Sequence, residues 1–448
     1  MKKKDIFWII LSAALVLRLL ILINYSSELF WDEYVYIGMG KYIFTWGQLG
    51  IWEFIRPLFL PLFLGTFWKL GFPIVITGIA LSLSASIGII FLTYMITEKL
   101  RNESEALIAS IIIAFTPIFL RFSFRMLTEI YTILFSLLAI YCFICKGFTK
   151  SGIFAGLAFM TKFPAGLTGF FLALFSLNNR KKLFKVILPF GIITTSYLLL
   201  NKILYNDFFI PFITGNDIIK NSGLWIFSKS WYFYFIEFLK QNPLYLFSIL
   251  GLVLIFNKSY RIIPIIGISY LIYFSTLTHK EPRFMILFLP YFAILSAYGI
   301  KKIIKTKYVY LIVLFISVFV LATNMPQIEM HPNLNYLYYS IPRDVKGEIL
   351  VSHPGVSFDS PKPVTPIYLP IYNAEFSANW IIYLKENQNN ISYVFVDSCE
   401  GTICAPTDEE CNLNYLKTVE FLKTNFEEVF YEEKENGCKY YVFKNDLS

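Results

Sequence analysis

Apolar runs recur along the first three quarters of this chain, most of them about 15–24 residues and so near the length that crosses ~30 Å of hydrocarbon as a helix. They fall at about 6–24, 73–96, 105–120, 127–145, 151–161, 164–178, 183–201, 242–256, 262–277, 284–300 and 308–324. A chain with this pattern folds in a bilayer, where backbone groups must be satisfied internally and helices are the economical answer. The composition agrees: 56% of the 448 residues are hydrophobic and 16% are charged, against ~25% charged in ordinary soluble domains. The expected fold is an all-α polytopic membrane protein of about eleven spans.

Basic residues set the orientation, because Lys and Arg in short loops mark the cytoplasmic side. Lys2–Lys4, Lys99 with Arg101, Lys146 with Lys150, Arg180 to Lys185, Lys258 with Arg261, and Lys301 to Lys307 all fall on one side. That side carries the N-terminus. The net charge of +8 is used up by this placement and does not point to nucleic acid. The first run follows Met-Lys-Lys-Lys but lacks a small-residue cleavage site, so it reads as an uncleaved helix. The pair 151–161 and 164–178 is expected to be two short helices meeting at Lys162.

Four segments then face outward. The first, Tyr25 to Phe72, is too interrupted to span and reads as amphipathic helices on the membrane surface. The others are the turn Arg121–Arg125, the stretch Lys202–Gln241, and the stretch around His279. Beyond residue 325 the composition changes. Residues 1–325 are expected to form the transmembrane domain and 326–448 a small extracytoplasmic α/β domain. Its expected strands are 348–352, 392–396, 429–433 and 439–443, and its helices 377–385 and 413–425. The last two strands flank Asn436-Gly437, a hairpin signal. Cys399, Cys404, Cys411 and Cys438 lie there, an even number that favours disulfides over a zinc site of unfamiliar spacing.

Ionisable residues at a membrane edge cost ~2.5–3.5 kcal/mol at a span's centre and mark function by default. Here they share one face: Asp32 and Glu33, Arg125 and Glu129, Lys162, and the crowded His279, Lys280, Glu281 and Arg283. Singly, each has an ordinary explanation. Asp32 would cap a helix, Arg125 and Glu129 would pair at i,i+4, and Lys162 would snorkel. Together they suit glycosyl transfer from a polyprenyl-phosphate sugar. A carboxylate takes the acceptor hydroxyl's proton, and cations steady the departing lipid phosphate.

Trp31-Asp32-Glu33-Tyr34 resembles the acidic motif of the glycosyltransferase C superfamily. Arg56-Pro57-Leu58 through Pro61, Gly156 to Lys162, and His279-Lys280-Glu281-Pro282-Arg283-Phe284 are similar to further motifs of its protein O-mannosyltransferase-like and dolichyl-phosphate-mannose-dependent branches. The resemblance covers about residues 1–325. It implies an inverting transferase with Asp32 as base and Glu33 as helper. Lys162, His279, Lys280 and Arg283 would hold the donor phosphate, and Arg56, Glu129 and Glu281 would support them. The implied partners are a polyprenyl-phosphate sugar, a glycan, lipid or protein acceptor, and membrane lipid; the implied site is the outer face of the plasma membrane. No metal motif is evident, although metal dependence varies within the superfamily, which leaves a divalent ion open. The competing class is a transporter or flippase for a lipid-linked sugar or other anionic solute. It is disfavoured by the absence of a convincing internal repeat.

Overall fold

The computed structural model describes residues 2–23, 29–222, 227–258, 260–324, 345–367, 374–398, 408–434 and 437–445. The helices of the N-terminal part are α1 (Lys3–Ile23), α2 (Trp31–Phe44), α3 (Phe59–Lys69), α4 (Ile74–Leu100), α5 (Glu103–Ala114), α6 (Pro117–Phe122), α7 (Thr128–Ile144) and α8 (Phe148–Thr161). They continue with α9 (Gly166–Leu174), α10 (Arg180–Tyr205), α11 (Ile210–Ser222), α12 (Phe233–Gln241), α13 (Ser248–Gly251), α14 (Ile262–Thr276), α15 (Leu289–Ile303) and α16 (Val309–Asn324). Among the described residues α1, α4 and α10 are each long and apolar enough to cross a membrane. Helices α7, α14, α16 and the stretch Phe163–Leu174 are apolar and shorter. The chain is an integral membrane protein.

One expected straight span is broken at a proline. The run 105–120 divides into α5 and α6 at Phe115–Thr116. Pro117 opens α6 and has no N–H to continue the ladder. The freed backbone groups, donor and acceptor alike, find side-chain partners, as burial demands. Ile118 N–H turns to Gln241 Oε1 at 2.7 Å, and Arg18 Nη2 donates to the Ala114 carbonyl at 3.2 Å. Arg18 is fully buried, and its cation sits where the C-terminal dipole of α5 favours one. The run 242–256 starts where expected, at a 120° bend away from α12 at the break before Pro243. As expected from Phe163-Pro164, α8 ends at Thr161 and Lys162 is extended (φ −155°, ψ 119°).

The first segment departs from a surface-lying amphipathic arrangement. Val35 to Gly40 of α2 are all buried in succession, which one-sided burial at 3.6 residues per turn does not produce. Helix α2 packs on α3 at Gly40 and Gly65, where a Cβ on Gly40 would lie 2.9 Å from Gly65 Cα.

The other face of α2 meets the C-terminal part. There β2 (Glu348–Val351), β3 (Pro363–Pro366), β4 (Ile391–Asp397), β5 (Glu427–Glu433) and β6 (Lys439–Lys444) carry α17 (Ala374–Asn387) and α18 (Glu409–Asn425). A two-residue strand, β1 (Gly50–Ile51), joins the edge of this sheet, giving the order β1-β3-β2-β4-β6-β5. The pairs from β1 to β4 are parallel and those from β4 to β5 antiparallel. Strand β3 was not foreseen, because Pro-Val-Thr-Pro removes two ladder donors; nor was β1, which is too short to show a period. Cys411 and Cys438 are each disulfide-bonded; Cys399, Cys404 and the Asn436 hairpin position lie outside the described residues.

Gly50 makes the β1 connection. Its φ is +83°, and a Cβ would stand 2.1 Å from the Gly38 carbonyl oxygen. Gly50→Ala is expected to cost more than about 1 kcal/mol, since L-residues resist this φ and backbone cannot yield. The melting temperature falls, and limited proteolysis cuts the β1 segment faster than in wild type.

Candidate active site

Helix α2 brings two adjacent carboxylates to its first turn and gives them different work. Glu33 is the third residue of the helix and turns back to accept from Phe30 N–H at 2.7 Å. It also accepts from Met126 N–H at 2.7 Å and Arg125 Nη1 at 3.1 Å. With 1% exposure it ties the start of α2 to the turn before α7. Burial pushes its carboxyl above the usual range, against the pull of Arg125 and the two backbone donors. This network makes Glu33 a positioning residue for α2. Glu33→Gln puts an amide N–H₂ against a donor and is expected to cost about 1–3 kcal/mol, read as a lower melting temperature.

Asp32 faces the other way. Its Oδ1 is 2.9 Å from Arg56 Nη1, and Oδ2 accepts from Arg283 Nη1 at 2.5 Å. Burial works to raise this carboxyl, but Arg56, Arg283 and Lys162 together overcome it and hold Asp32 well below the carboxylate range. It is therefore ionised at neutral pH.

The cluster spreads from that pair. Arg56 Nε bonds Glu53 Oε2 at 2.7 Å. Arg283 is clamped a second time by Glu281, with Nε and Nη2 at 2.8 and 2.9 Å from its two oxygens. Glu281 Oε1 also meets His279 Nε2 at 2.8 Å. Burial acts upward on Glu281, yet Arg283 and His279 bring it down to about 2. Lys162 Nζ donates to Glu129 Oε1 at 2.8 Å and stands over the Phe284 ring at 4.7 Å. Arg283 Nε is 3.8 Å from the same Glu129 oxygen. Phe227 stacks on the His279 ring at 4.1 Å.

So the structure brings Asp32, Arg56, Glu129, Lys162, His279, Glu281 and Arg283 together from five separate parts of the chain. Arg125 goes to Glu33 and Glu129 to Lys162, where a local i,i+4 pair was expected. Lys280 does not join the cluster. Its Nζ donates to the Leu277 carbonyl, and its side chain lines a cavity elsewhere. Glu53 was missed, although Glu-x-x-Arg is a readable i,i+3 pair. The C-terminal wall was missed too. His353 packs edge-on to Trp31 at 4.6 Å, and Phe358 lies 6.0 Å from Tyr34. No local pattern links those positions.

Exposure sorts the groups. Asp32 keeps 11% of its side-chain surface, whereas Arg56, Lys162 and Arg283 keep 23%, 19% and 19%. The three cations are thus more open to an incoming anion than Asp32 is. Four carboxylates (Asp32, Glu53, Glu129, Glu281) and three fixed cations (Arg56, Lys162, Arg283) share the site. No group of three or more His, Cys, Asp or Glu side chains among the described residues could hold a metal ion. Each carboxylate is paired with a cation, which does not fit a divalent ion.

Residues 55–205 match the family of dolichyl-phosphate-mannose-protein mannosyltransferases. That span holds Arg56, Glu129 and Lys162. The chain resembles the glycosyltransferase C superfamily in sequence and in fold. ArnT from Cupriavidus metallidurans bound to undecaprenyl phosphate superposes with a TM-score of 0.52 at 17% identity, over 74% of this chain and 66% of that one. The same protein in the apo state gives 0.61 at 12% identity over 98% of both chains. AglB, the oligosaccharyltransferase of Archaeoglobus fulgidus, in complex with an inhibitory peptide and a dolichol-phosphate, gives 0.63 at 12% identity over 98% of this chain and 74% of its own. No curated protein matches by sequence. At such identities the structural likeness carries the glycosyltransferase C fold, and the activity has to be argued from the site.

Proposed function

We propose that the chain transfers a sugar from a polyprenyl-phosphate donor to an acceptor hydroxyl, with inversion, on the outer face of the cell membrane. The observation that carries this reading is one sheltered, ionised carboxylate, Asp32, held directly by two arginines with a lysine beside them. Asp32 accepts the proton of the acceptor hydroxyl. The acceptor oxygen bonds to the anomeric carbon as the bond from that carbon to the phosphate oxygen breaks. The electron pair leaves with the polyprenyl phosphate, whose charge grows by one. Arg56, Lys162 and Arg283 meet that growing charge, which is where fixed cations lower a barrier.

The same contacts tune the base. A carboxylate held far below neutral pH is a poor proton acceptor, since the best base has a pKa near the working pH. A phosphate that draws Arg283 or Arg56 toward itself loosens their hold on Asp32 and raises its basicity. Donor binding thus prepares the base.

The wider setting rests on the basic clusters of one set of loops, which put the N-terminus in the cytoplasm, about eleven spans in the bilayer and the site outside. We read 326–448 as an extracytoplasmic domain that roofs the first outer segment. The disulfide-bonded Cys411 and Cys438 support an oxidising side for it. Inversion is tested by the anomeric configuration of the product, followed by NMR with a donor of known configuration. The opposite configuration from the donor supports single displacement by an Asp32-activated hydroxyl. The same configuration would sink it.

A further inference from the structure

The segment Thr278–Glu281 is extended: it bridges Ser228 at His279, donates Lys280 N–H to the Phe227 carbonyl at 3.1 Å, and ends at Glu281 with φ −115° and ψ 143°. Extended chain alternates its side chains between two faces. His279 and Glu281 go to the arginine cluster. Lys280 goes to the opposite face and lines a cavity of about 590 Å³. Around it stand Lys229, Trp231, Phe235, Ile272 and Ser275.

This cavity has the make-up of an amphiphile site. Its outer wall is apolar and open, with Trp231 69%, Phe235 49% and Ile272 57% exposed, on the last turns of α14, the first turn of α12 and the residues just before it. Its inner end holds Lys280, only 5% exposed, whose one described partner is a backbone carbonyl. Beside it Ser275 Oγ is buried without a hydrogen-bond partner among the described residues. None of the described lining residues is acidic. A buried ammonium and a buried hydroxyl want an anion, and the apolar wall wants a hydrocarbon chain.

We propose that this cavity binds an anionic lipid of the surrounding bilayer, with its phosphate on Lys280 and Ser275 and one chain along Ile272 and Phe235. The charge complementarity and the wall that opens on bilayer-facing side chains favour a bilayer lipid. The position of Lys280, turned away from Asp32, separates this site from the donor's. The inference does not depend on the transfer reading, because binding is measured without turnover.

The test uses the purified full chain in detergent, offered phosphatidylglycerol, phosphatidylcholine or undecaprenyl phosphate and read by native mass spectrometry. Wild type is expected to retain one phosphatidylglycerol more strongly than phosphatidylcholine. Lys280→Gln weakens that retention at least about tenfold, the loss implied by removing a hydrogen bond to a charged group, and Lys280→Arg restores part of it. Ile272→Trp fills the cavity from an exposed position that folding tolerates, and weakens retention too. Asp32→Asn leaves it unchanged, which keeps this result separate from the fate of the catalytic reading. Equal retention in wild type, Lys280→Gln and Ile272→Trp overturns the proposal. So does Lys280-dependent retention of undecaprenyl phosphate without phosphatidylglycerol, which would return Lys280 to the carrier lipid.

Discussion

Asp32→Asn is expected to slow sugar transfer by about 10²–10⁴-fold, the usual worth of a positioned general base, while the donor is still bound. Asparagine keeps the shape and one acceptor oxygen for Arg56 or Arg283. It cannot take a proton. Donor retention should hold or tighten, since a negative charge has left the neighbourhood of the phosphate. Single-turnover transfer together with donor retention on the purified protein separates the two effects. Full activity in Asp32→Asn would remove the base from the account; lost donor binding would make Asp32 a binding residue instead.

Arg283→Gln is expected to have the second-largest effect, and on both stability and activity. Arg283 touches Asp32, Glu281 and Glu129, so its loss leaves buried carboxylates short of a cation. Breaking one partner of such a pair typically costs about 3–5 kcal/mol. Arg283→Lys keeps the charge but cannot reach three carboxylates with one ammonium, because the planar fork of arginine is what spans them. Its melting temperature should fall between those of wild type and Arg283→Gln. The double change Arg283→Gln with Asp32→Asn should be more stable than the sum of its parts, since the second change removes a charge that the first left unpaired. Strict additivity in thermal melts would show that Asp32 and Arg283 do not depend on one another.

What could be read from the chain and what could not follows from range. Asp32 and the His279–Arg283 cluster stood out because ionisable groups at the ends of apolar runs are expensive, whatever they touch. The helix break at Lys162 was legible because Phe163-Pro164 forbids a continuous ladder. Pairing was less legible. Arg125 and Glu129 look like i,i+4 partners, yet each finds a partner on another element, because tertiary packing outweighs a local pair worth ~0.3–0.5 kcal/mol. The cluster His279–Arg283 read as one basic group, although extended chain splits it between two faces and sends Lys280 away. The seating of α2 under the C-terminal sheet was invisible. It depends on a two-residue strand at Gly50, a proline-rich β3 and a His353–Trp31 contact more than 300 residues apart in sequence.

The most direct measurement follows label from a radiolabelled polyprenyl-phosphate sugar presented to the purified wild-type chain in lipid, with membrane extract supplying the acceptor. Label is expected to leave the lipid for an acceptor in proportion to polyprenyl phosphate released, and Arg283→Gln and Asp32→Asn are both expected to suppress it. Donor that binds at the Asp32 cluster, across several sugars, and is never cleaved by the wild-type chain would contradict it.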